Sequence, residues 1–174
     1  MGLGLLLLQS LYFFLPAYLA NMAPELIKKV PILNYPVWER KLGKNKTWRG
    51  LVISGLVGIL VFWIQQILYP FPLFYEISLI DYSDFSLLLG FLLGFGAILG
   101  DLVKSYFKRK NQIKPGDSWI PWDQLDFVIG GLILSWFLYV PKVEVVALIF
   151  LISPFLHLLF CRLGFHLKIK DKKY

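Results

Sequence analysis

Residues 86–107 read SLLLGFLLGFGAILGDLVKSYF, and this stretch decides which kind of fold the chain adopts. Fifteen uncharged residues come before Asp101, and four of them are glycines, at positions 90, 94, 96 and 100. A membrane-spanning helix needs about 20 mostly apolar residues, and small residues four apart let two such helices approach closely. The stretch therefore predicts a membrane-spanning helix that packs tightly against a neighbour and carries a carboxylate near its end.

The rest of the chain has the same apolar character. Of the 174 residues, 57% are hydrophobic and only 17% are charged, whereas a soluble domain carries about 25% charged residues. This composition excludes a water-soluble globule and a disordered tail. We predict an all-α, polytopic integral membrane protein whose residues 1–174 form a single transmembrane domain. Its five transmembrane helices are predicted at about residues 2–20, 50–69, 86–107, 124–140 and 145–163.

Positive charge is concentrated in alternate loops. Seven Lys and Arg lie in residues 21–49, five lie in 104–122, and five lie from Arg162 onward, whereas the opposite loops contain Lys142 alone. Cytoplasmic loops carry an excess of Lys and Arg, so we predict the N-terminus outside and the C-terminus in the cytoplasm. The basic tail is interpreted as a topology signal and an anchor for anionic membrane lipids.

A mixed set of acidic and basic side chains lies at the cytoplasmic ends of the third and fourth segments. Spacings of three, four and seven residues put four side chains on one helix face, namely Asp101, Lys104, Ser105 and Lys108. Asp123 and Asp126 lie three residues apart at the start of the fourth segment. An intramembrane carboxylate is a functional candidate by default. The spacing fits equally a site for a metal ion and phosphate and a set of internal ion pairs at a helix end.

Further polar residues border the same membrane face. Thr47 fits the N-cap of the second segment as well as it fits a site residue. Lys46 and Arg49 lie beside it, and Asn21 is at the exit of the first segment. Arg109 follows Lys108 directly, and Lys114 comes after a short linker. Together these residues surround the acidic positions.

The combined pattern resembles the signature of the CTP:phosphatidate cytidylyltransferases. The residues that carry this resemblance are Gly100-Asp101, Ser105, Lys108-Arg109, Lys114, Pro121 and Asp123-Gln124-Leu125-Asp126. The chain is most similar to the CDP-archaeol synthase branch, through Asn21-x-x-Pro24, Lys46-Thr47-Trp48-Arg49-Gly50, Lys114-Pro115-Gly116-Asp117 and Asp123-Gln124-Leu125-Asp126-Phe127. Gln124 replaces the Arg of the phosphatidate signature, a His-Gly-Gly stretch is absent, and the chain is shorter. These departures favour the archaeal branch.

The resemblance implies an enzyme that condenses CTP with 2,3-di-O-geranylgeranylglyceryl phosphate, an isoprenoid ether lipid phosphate, to give CDP-archaeol and pyrophosphate. Mg²⁺ is the implied cofactor. The implied catalytic residues are Asp101, Lys108, Arg109, Asp123 and Asp126, of which the three aspartates are the metal ligands.

The same resemblance implies roles for the surrounding residues. Lys108, Arg109 and Lys114 would bind the triphosphate, and Lys46 and Arg49 the nucleotide or the lipid phosphate. Lys104 would belong to the same binding set. Hydrogen bonds would come from Asn21, Thr47 and Ser105, and Asp117 would contact the nucleotide.

Two other functions compete with this one. A phosphatidate cytidylyltransferase that makes CDP-diacylglycerol would use the same residues. A small ion-coupled transporter would also suit Asp101 in a glycine-rich helix, although transporters place their coupling charges near the midplane. We expect a multi-pass protein of the cell membrane with its active site on the cytoplasmic face and no nucleic acid partner. The sequence leaves the oligomeric state open, and a homodimer is compatible with it.

Overall fold

The computed structural model describes residues 2–114 and 117–166, and the chain is helical with no strand within these ranges. A short 3₁₀ turn lies between the fourth and fifth helices. The helices are α1 (Leu3–Leu26), α2 (Glu39–Leu42), α3 (Trp48–Leu68), α4 (Pro72–Glu76), α5 (Leu88–Lys110), α6 (Trp122–Ser135) and α7 (Val143–His166). Within the described residues, four helices (α1, α3, α5 and α7) are long and apolar enough to cross a membrane. The all-α, polytopic prediction is therefore confirmed for these residues.

The predicted fourth span is shorter than expected. Helix α6 ends at Ser135 after 14 residues, whereas the sequence predicts a span that reaches residue 140. Beyond Ser135 the N–H groups of Phe137 and Leu138 donate to carbonyls three residues back, so the chain tightens and leaves the α-helix. Fourteen helical residues rise about 21 Å, which is less than the bilayer core of about 30 Å. The arrangement with five spans stays a prediction.

Helix α1 continues through two prolines because α3 replaces the hydrogen bonds that they remove. A proline within a helix leaves the carbonyl four residues earlier without its donor, and in a membrane that carbonyl needs another partner. For Pro16 this carbonyl belongs to Tyr12, and the Gln65 Nε2 donates to it at 2.6 Å. For Pro24 it belongs to Ala20, and the Ser54 hydroxyl donates to it at 2.9 Å. Helix α1 therefore extends to Leu26, past the predicted end at residue 20.

Helix α5 is the central helix and contacts α1, α2, α3 and α6. Its glycines allow the backbones of α5 and α6 to touch. A Cβ added at Gly96 would lie 2.5 Å from the carbonyl oxygen of Gly130, and one added at Gly100 would lie 2.8 Å from the carbonyl carbon of Asp126. The close approach predicted for the glycine-rich stretch is thus observed, and it brings the end of α5 against the start of α6.

The end of the bundle where α1, α5 and α7 finish and α3 and α6 begin is called the basic end. The loop between α1 and α3 folds back over α5 there. Val37 and Leu42 pack against Leu51, Ile98 and Leu102. The Val37 N–H also donates to the carbonyl of Lys46 at 2.7 Å. This packing holds Lys46 beside α5.

Candidate active site

Three carboxylates meet at one ammonium group at the basic end. The Lys104 Nζ lies 3.0 Å from Asp101 Oδ1, 3.0 Å from Asp123 Oδ1 and 2.8 Å from Asp126 Oδ2. We call Asp101, Asp123 and Asp126 the carboxylate cluster. Their side chains are only 14%, 18% and 5% exposed, and that of Lys104 is 14% exposed. The residues that the sequence predicts to act together are therefore brought together.

Local helix geometry and one glycine contact create this meeting point. Asp101 and Lys104 lie three residues apart on α5, and Asp123 and Asp126 lie three apart on α6, so each pair shares a helix face. The two faces meet because Gly100 has no side chain to keep the backbone of Asp126 away. The sequence spacing places the two residues of each pair on one helix face. The contact between α5 and α6 then brings the two pairs together.

Two further lysines flank the carboxylate cluster. Lys46 forms an ion pair with the Oδ2 of Asp101. Lys108 donates to both carboxylate oxygens of Asp123 at 3.1 Å and to the carbonyl of Asp117 at 2.5 Å. The three carboxylates and the three lysines carry equal and opposite formal charge. Buried ions are tolerated only when they are paired in this way.

Backbone donors complete the hydrogen bonding of the cluster. The Trp119 N–H donates to Asp123 Oδ2 at 2.6 Å, and the Phe127 N–H donates to Asp126 Oδ1 at 2.6 Å. With the lysine contacts, all six carboxylate oxygens have a partner. The sequence did not indicate the Trp119 contact, because a backbone N–H carries no signal in the residue type.

Of the two interpretations left open by the sequence, the ion-pair network is the one the geometry displays. Among residues 2–114 and 117–166, no group of three or more His, Cys, Asp and Glu side chains is arranged as a preformed metal site. The donor set nevertheless fits Mg²⁺, which prefers carboxylate oxygens together with substrate phosphates. The position shared by the three carboxylates already holds a cation, the ammonium of Lys104. The Mg²⁺ ligand assignment stays a prediction.

Two arginines at the basic end have donors to spare. The Nη1 of Arg49 donates to the carbonyl of Val30, and the Nη1 of Arg109 donates to the carbonyl of Ile113 at 2.6 Å. The Nε of each guanidinium is buried and has no hydrogen-bond partner. Guanidinium groups bind phosphate through pairs of N–H donors. Phosphate binding by Arg49 and Arg109 stays a prediction.

Four further predicted residues lie on the elements at the basic end: Thr47 before α3, Ser105 on α5, and Lys114 and Asp117 between α5 and α6. The hydroxyl of Thr47 accepts from the Gly50 N–H at 3.4 Å, which confirms the N-cap of α3. Ser105 is buried on α5, one turn beyond Asp101. Lys114 and Asp117 are exposed, and Asp117 meets Lys108 through its backbone carbonyl. Pro115 and Gly116 of the same motif lie outside the described residues.

Asn21 lies in a small pocket away from the carboxylate cluster. The pocket is formed by α1, α6 and α7 and is lined by Tyr18, Asn21, Met22, Phe127, His157, Phe160 and Cys161. Phe127 stacks on His157, with ring centroids 6.4 Å apart. Since Phe127 follows Asp126 directly, one wall of the pocket adjoins the cluster through the backbone. Asn21 is half-buried in this pocket and not at the carboxylate cluster itself.

Comparisons with known proteins agree with the resemblance seen in the motifs. A family model described as CarS-like, CDP-archaeol synthase, matches residues 3–174. A CDP-archaeol synthase of Methanocaldococcus jannaschii is 36% identical over 170 residues, which cover 95% of this chain and 96% of that protein. Proteins of the same name from Thermofilum pendens and Pyrococcus furiosus are 37% and 33% identical, over 94% and 87% of this chain and 79% and 88% of their own lengths. No solved structure matches the chain. The chain therefore belongs to the CarS-like family of CDP-archaeol synthases.

Proposed function

We propose that this chain is a membrane cytidylyltransferase that condenses CTP with an isoprenoid ether lipid phosphate, 2,3-di-O-geranylgeranylglyceryl phosphate, to give CDP-archaeol and pyrophosphate. Family membership over nearly the whole chain supports the reaction type. The observation that carries the proposal for the site is the buried meeting of three carboxylates with three lysines at the basic end. Arg49 and Arg109, which follow Lys46 and Lys108 closely in the chain, each have an Nε without a hydrogen-bond partner.

The reaction needs charge neutralisation and alignment more than it needs a base. The nucleophile is a lipid phosphate, which is largely ionised near neutral pH because its second pKa is about 6. One of its oxygens bonds to the α-phosphorus of CTP, while the bond from that phosphorus to the bridging oxygen of the β-phosphate breaks. Pyrophosphate leaves with that electron pair. An anion thus attacks an anion, so the barrier falls when fixed positive groups surround both.

Each described residue is assigned a part in that neutralisation. Lys108, Arg109 and Lys114 bind the triphosphate, and Lys46 and Arg49 hold the lipid phosphate or the nucleotide. Asp101, Asp123 and Asp126 would hold Mg²⁺, which when bound supplies positive charge to the α-phosphate and to the leaving pyrophosphate.

The hydrogen-bonding residues complete the proposed site. Asn21, Thr47 and Ser105 supply hydrogen bonds, and Asp117 contacts the nucleotide from its exposed loop.

We place the basic end on the cytoplasmic side of the cell membrane. The excess of Lys and Arg in the loops at that end supports this orientation, and CTP is available there. With α6 and the turn after it counted as a span, the chain has five spans, the N-terminus outside and the C-terminus inside. The lipid tails lie in the bilayer between helices, with their phosphate at the interface.

A single incubation tests the reaction and the lipid class. Purified protein in detergent is mixed with CTP labelled at the α-phosphate, Mg²⁺, and either the ether lipid phosphate or diacyl phosphatidate. The proposal expects label in the organic phase, with the ether lipid turned over faster. If label enters the organic phase only in the incubation with phosphatidate, the protein is a phosphatidate cytidylyltransferase instead. Absence of a labelled lipid from both incubations, in a folded preparation, would refute the assigned reaction.

A further inference from the structure

We propose that Lys104 is a tethered cation that occupies the shared position of the three carboxylates before the metal ion arrives and competes with it for that position. Lys104 is thus a positioning residue, and its ammonium holds the cluster assembled in the absence of metal. This inference rests on the proposed function, because that function requires Mg²⁺ at Asp101, Asp123 and Asp126.

The contacts distinguish Lys104 from the other two lysines. Its Nζ lies within 3.0 Å of one oxygen from each of the three carboxylates. By contrast, Lys46 pairs with Asp101 and Lys108 pairs with Asp123. A cation that contacts all three carboxylates occupies the position where a metal ion would share them. The other two lysines lie at the edge and leave this position to Lys104.

Electrostatic repulsion prevents Mg²⁺ and the Lys104 ammonium from occupying the shared position at the same time. The cluster is neutral as it stands, with three carboxylates and three lysines. Mg²⁺ binds carboxylate oxygens at about 2.0–2.1 Å. At the shared position it would need the same carboxylate oxygens that now contact the Lys104 ammonium. Two cations cannot share those oxygens without strong repulsion at this level of burial. Metal binding therefore displaces the ammonium, and the flexible four-carbon stem of a lysine permits this movement.

Once displaced from the carboxylates, the Lys104 ammonium can contact the triphosphate. The ammonium released from the carboxylates remains at the end of α5, beside Lys108 and Arg109, where the triphosphate is expected. Metal and nucleotide then bind favourably together, because the metal takes the carboxylates and the freed lysine gains the phosphates. Before either arrives, Lys104 compensates three carboxylates that are at most 18% exposed. This avoids the destabilisation that follows when a buried charge loses its partner.

Metal titration of Lys104→Met, without CTP or lipid, tests the proposal. The variant keeps an unbranched side chain that is one atom shorter and removes its charge. Melting is followed by tryptophan fluorescence in detergent, first in EDTA and then at increasing Mg²⁺. We expect a lower melting temperature in EDTA than for the wild type. The Mg²⁺ concentration that gives half of the thermal shift should fall by about tenfold or more.

Lys110→Met is the matched control, because Lys110 is exposed in the last turn of the same helix. It should leave the Mg²⁺ dependence of the wild type unchanged. Lys104→Arg keeps the charge and should restore the wild-type dependence. If Lys104→Met is not recovered folded, Lys104→Gln removes the charge while keeping an amide donor, and the same fall in half-saturating Mg²⁺ is expected. Half-saturation that is unchanged or higher in the neutral variants overturns the proposal.

The test separates this inference from the proposed function. A protein that makes the CDP-lipid but shows no competition between Mg²⁺ and Lys104 refutes the tethered cation alone. A protein that shows the competition but makes no CDP-lipid refutes the reaction assignment and leaves the competing cation in place.

Discussion

Replacing Gly100 by alanine tests whether the contact between α5 and α6 sets the geometry of the site. The added Cβ would lie 2.8 Å from the carbonyl carbon of Asp126, and closer still to its oxygen, whereas ordinary contact begins at 3.4 Å. The backbone of α6 must therefore retreat by at least 0.6 Å, the difference between 3.4 Å and 2.8 Å. Because the obstacle is backbone, no side-chain rotation relieves it.

This retreat moves Asp123 and Asp126 away from Asp101. A misplacement of about 1 Å in a catalytic group lowers a rate by about 100-fold, so we expect Gly100→Ala to reduce formation of the CDP-lipid by about 10- to 100-fold. Overpacking of this kind also destabilises a fold by about 1–3 kcal/mol. The melting temperature should fall, while the helical content stays that of the wild type.

The assay is transfer of label from CTP to lipid, with circular dichroism as the check on folding. Gly4→Ala is the matched control, because Gly4 is also a helical glycine in an apolar segment and a Cβ there meets nothing within 4 Å. It should keep the activity of the wild type. A Gly100→Ala protein as active as that control would refute the claim that the helix contact positions the carboxylates.

Three further predictions concern the cluster, the helix pairing and the tail. Asp123→Asn should abolish turnover in the labelled CTP assay while the protein stays folded in detergent, and full activity would exclude Asp123 as a metal ligand. Ser54→Ala and Gln65→Leu should each lower the free energy of unfolding by about 1 kcal/mol, typical of an interhelical hydrogen bond in a membrane. A detergent unfolding titration measures this loss, and unchanged stability in both would mean that the freed carbonyls find other partners. Lys172→Ala should change the rate little, and a large loss would make the tail part of the site.

The positions of the long helices were predictable because they follow from the hydropathy and the length of the apolar segments. Their ends were less so, since they depend on contacts with other helices. Pro24 reads as a helix breaker from sequence alone, yet the helix continues to Leu26 because Ser54 supplies the missing donor. Helix α6 ends at Ser135, although the apolar run continues, because the backbone tightens into turns with carbonyls three residues back.

The members of the site were predictable from spacing, but their arrangement was not. Asp101 and Lys104 share a face by helical periodicity, and so do Asp123 and Asp126. Whether these groups bind one another or leave an open cation site depends on the distance between α5 and α6. That distance follows from a backbone contact at Gly100, which no pattern of charges encodes.

Side chains of α3 replace the hydrogen bonds that the two prolines of α1 remove, and this has a consequence for how the helices assemble. Helices that enter a bilayer separately must find their partners by sliding and rotating against each other. A shift of α1 along α3 by a single residue, about 1.5 Å, would take the Tyr12 and Ala20 carbonyls away from Gln65 and Ser54 together. Only one register of α1 against α3 gives both carbonyls a hydrogen-bond donor. The two prolines therefore favour this register over the neighbouring ones when the helices pack together.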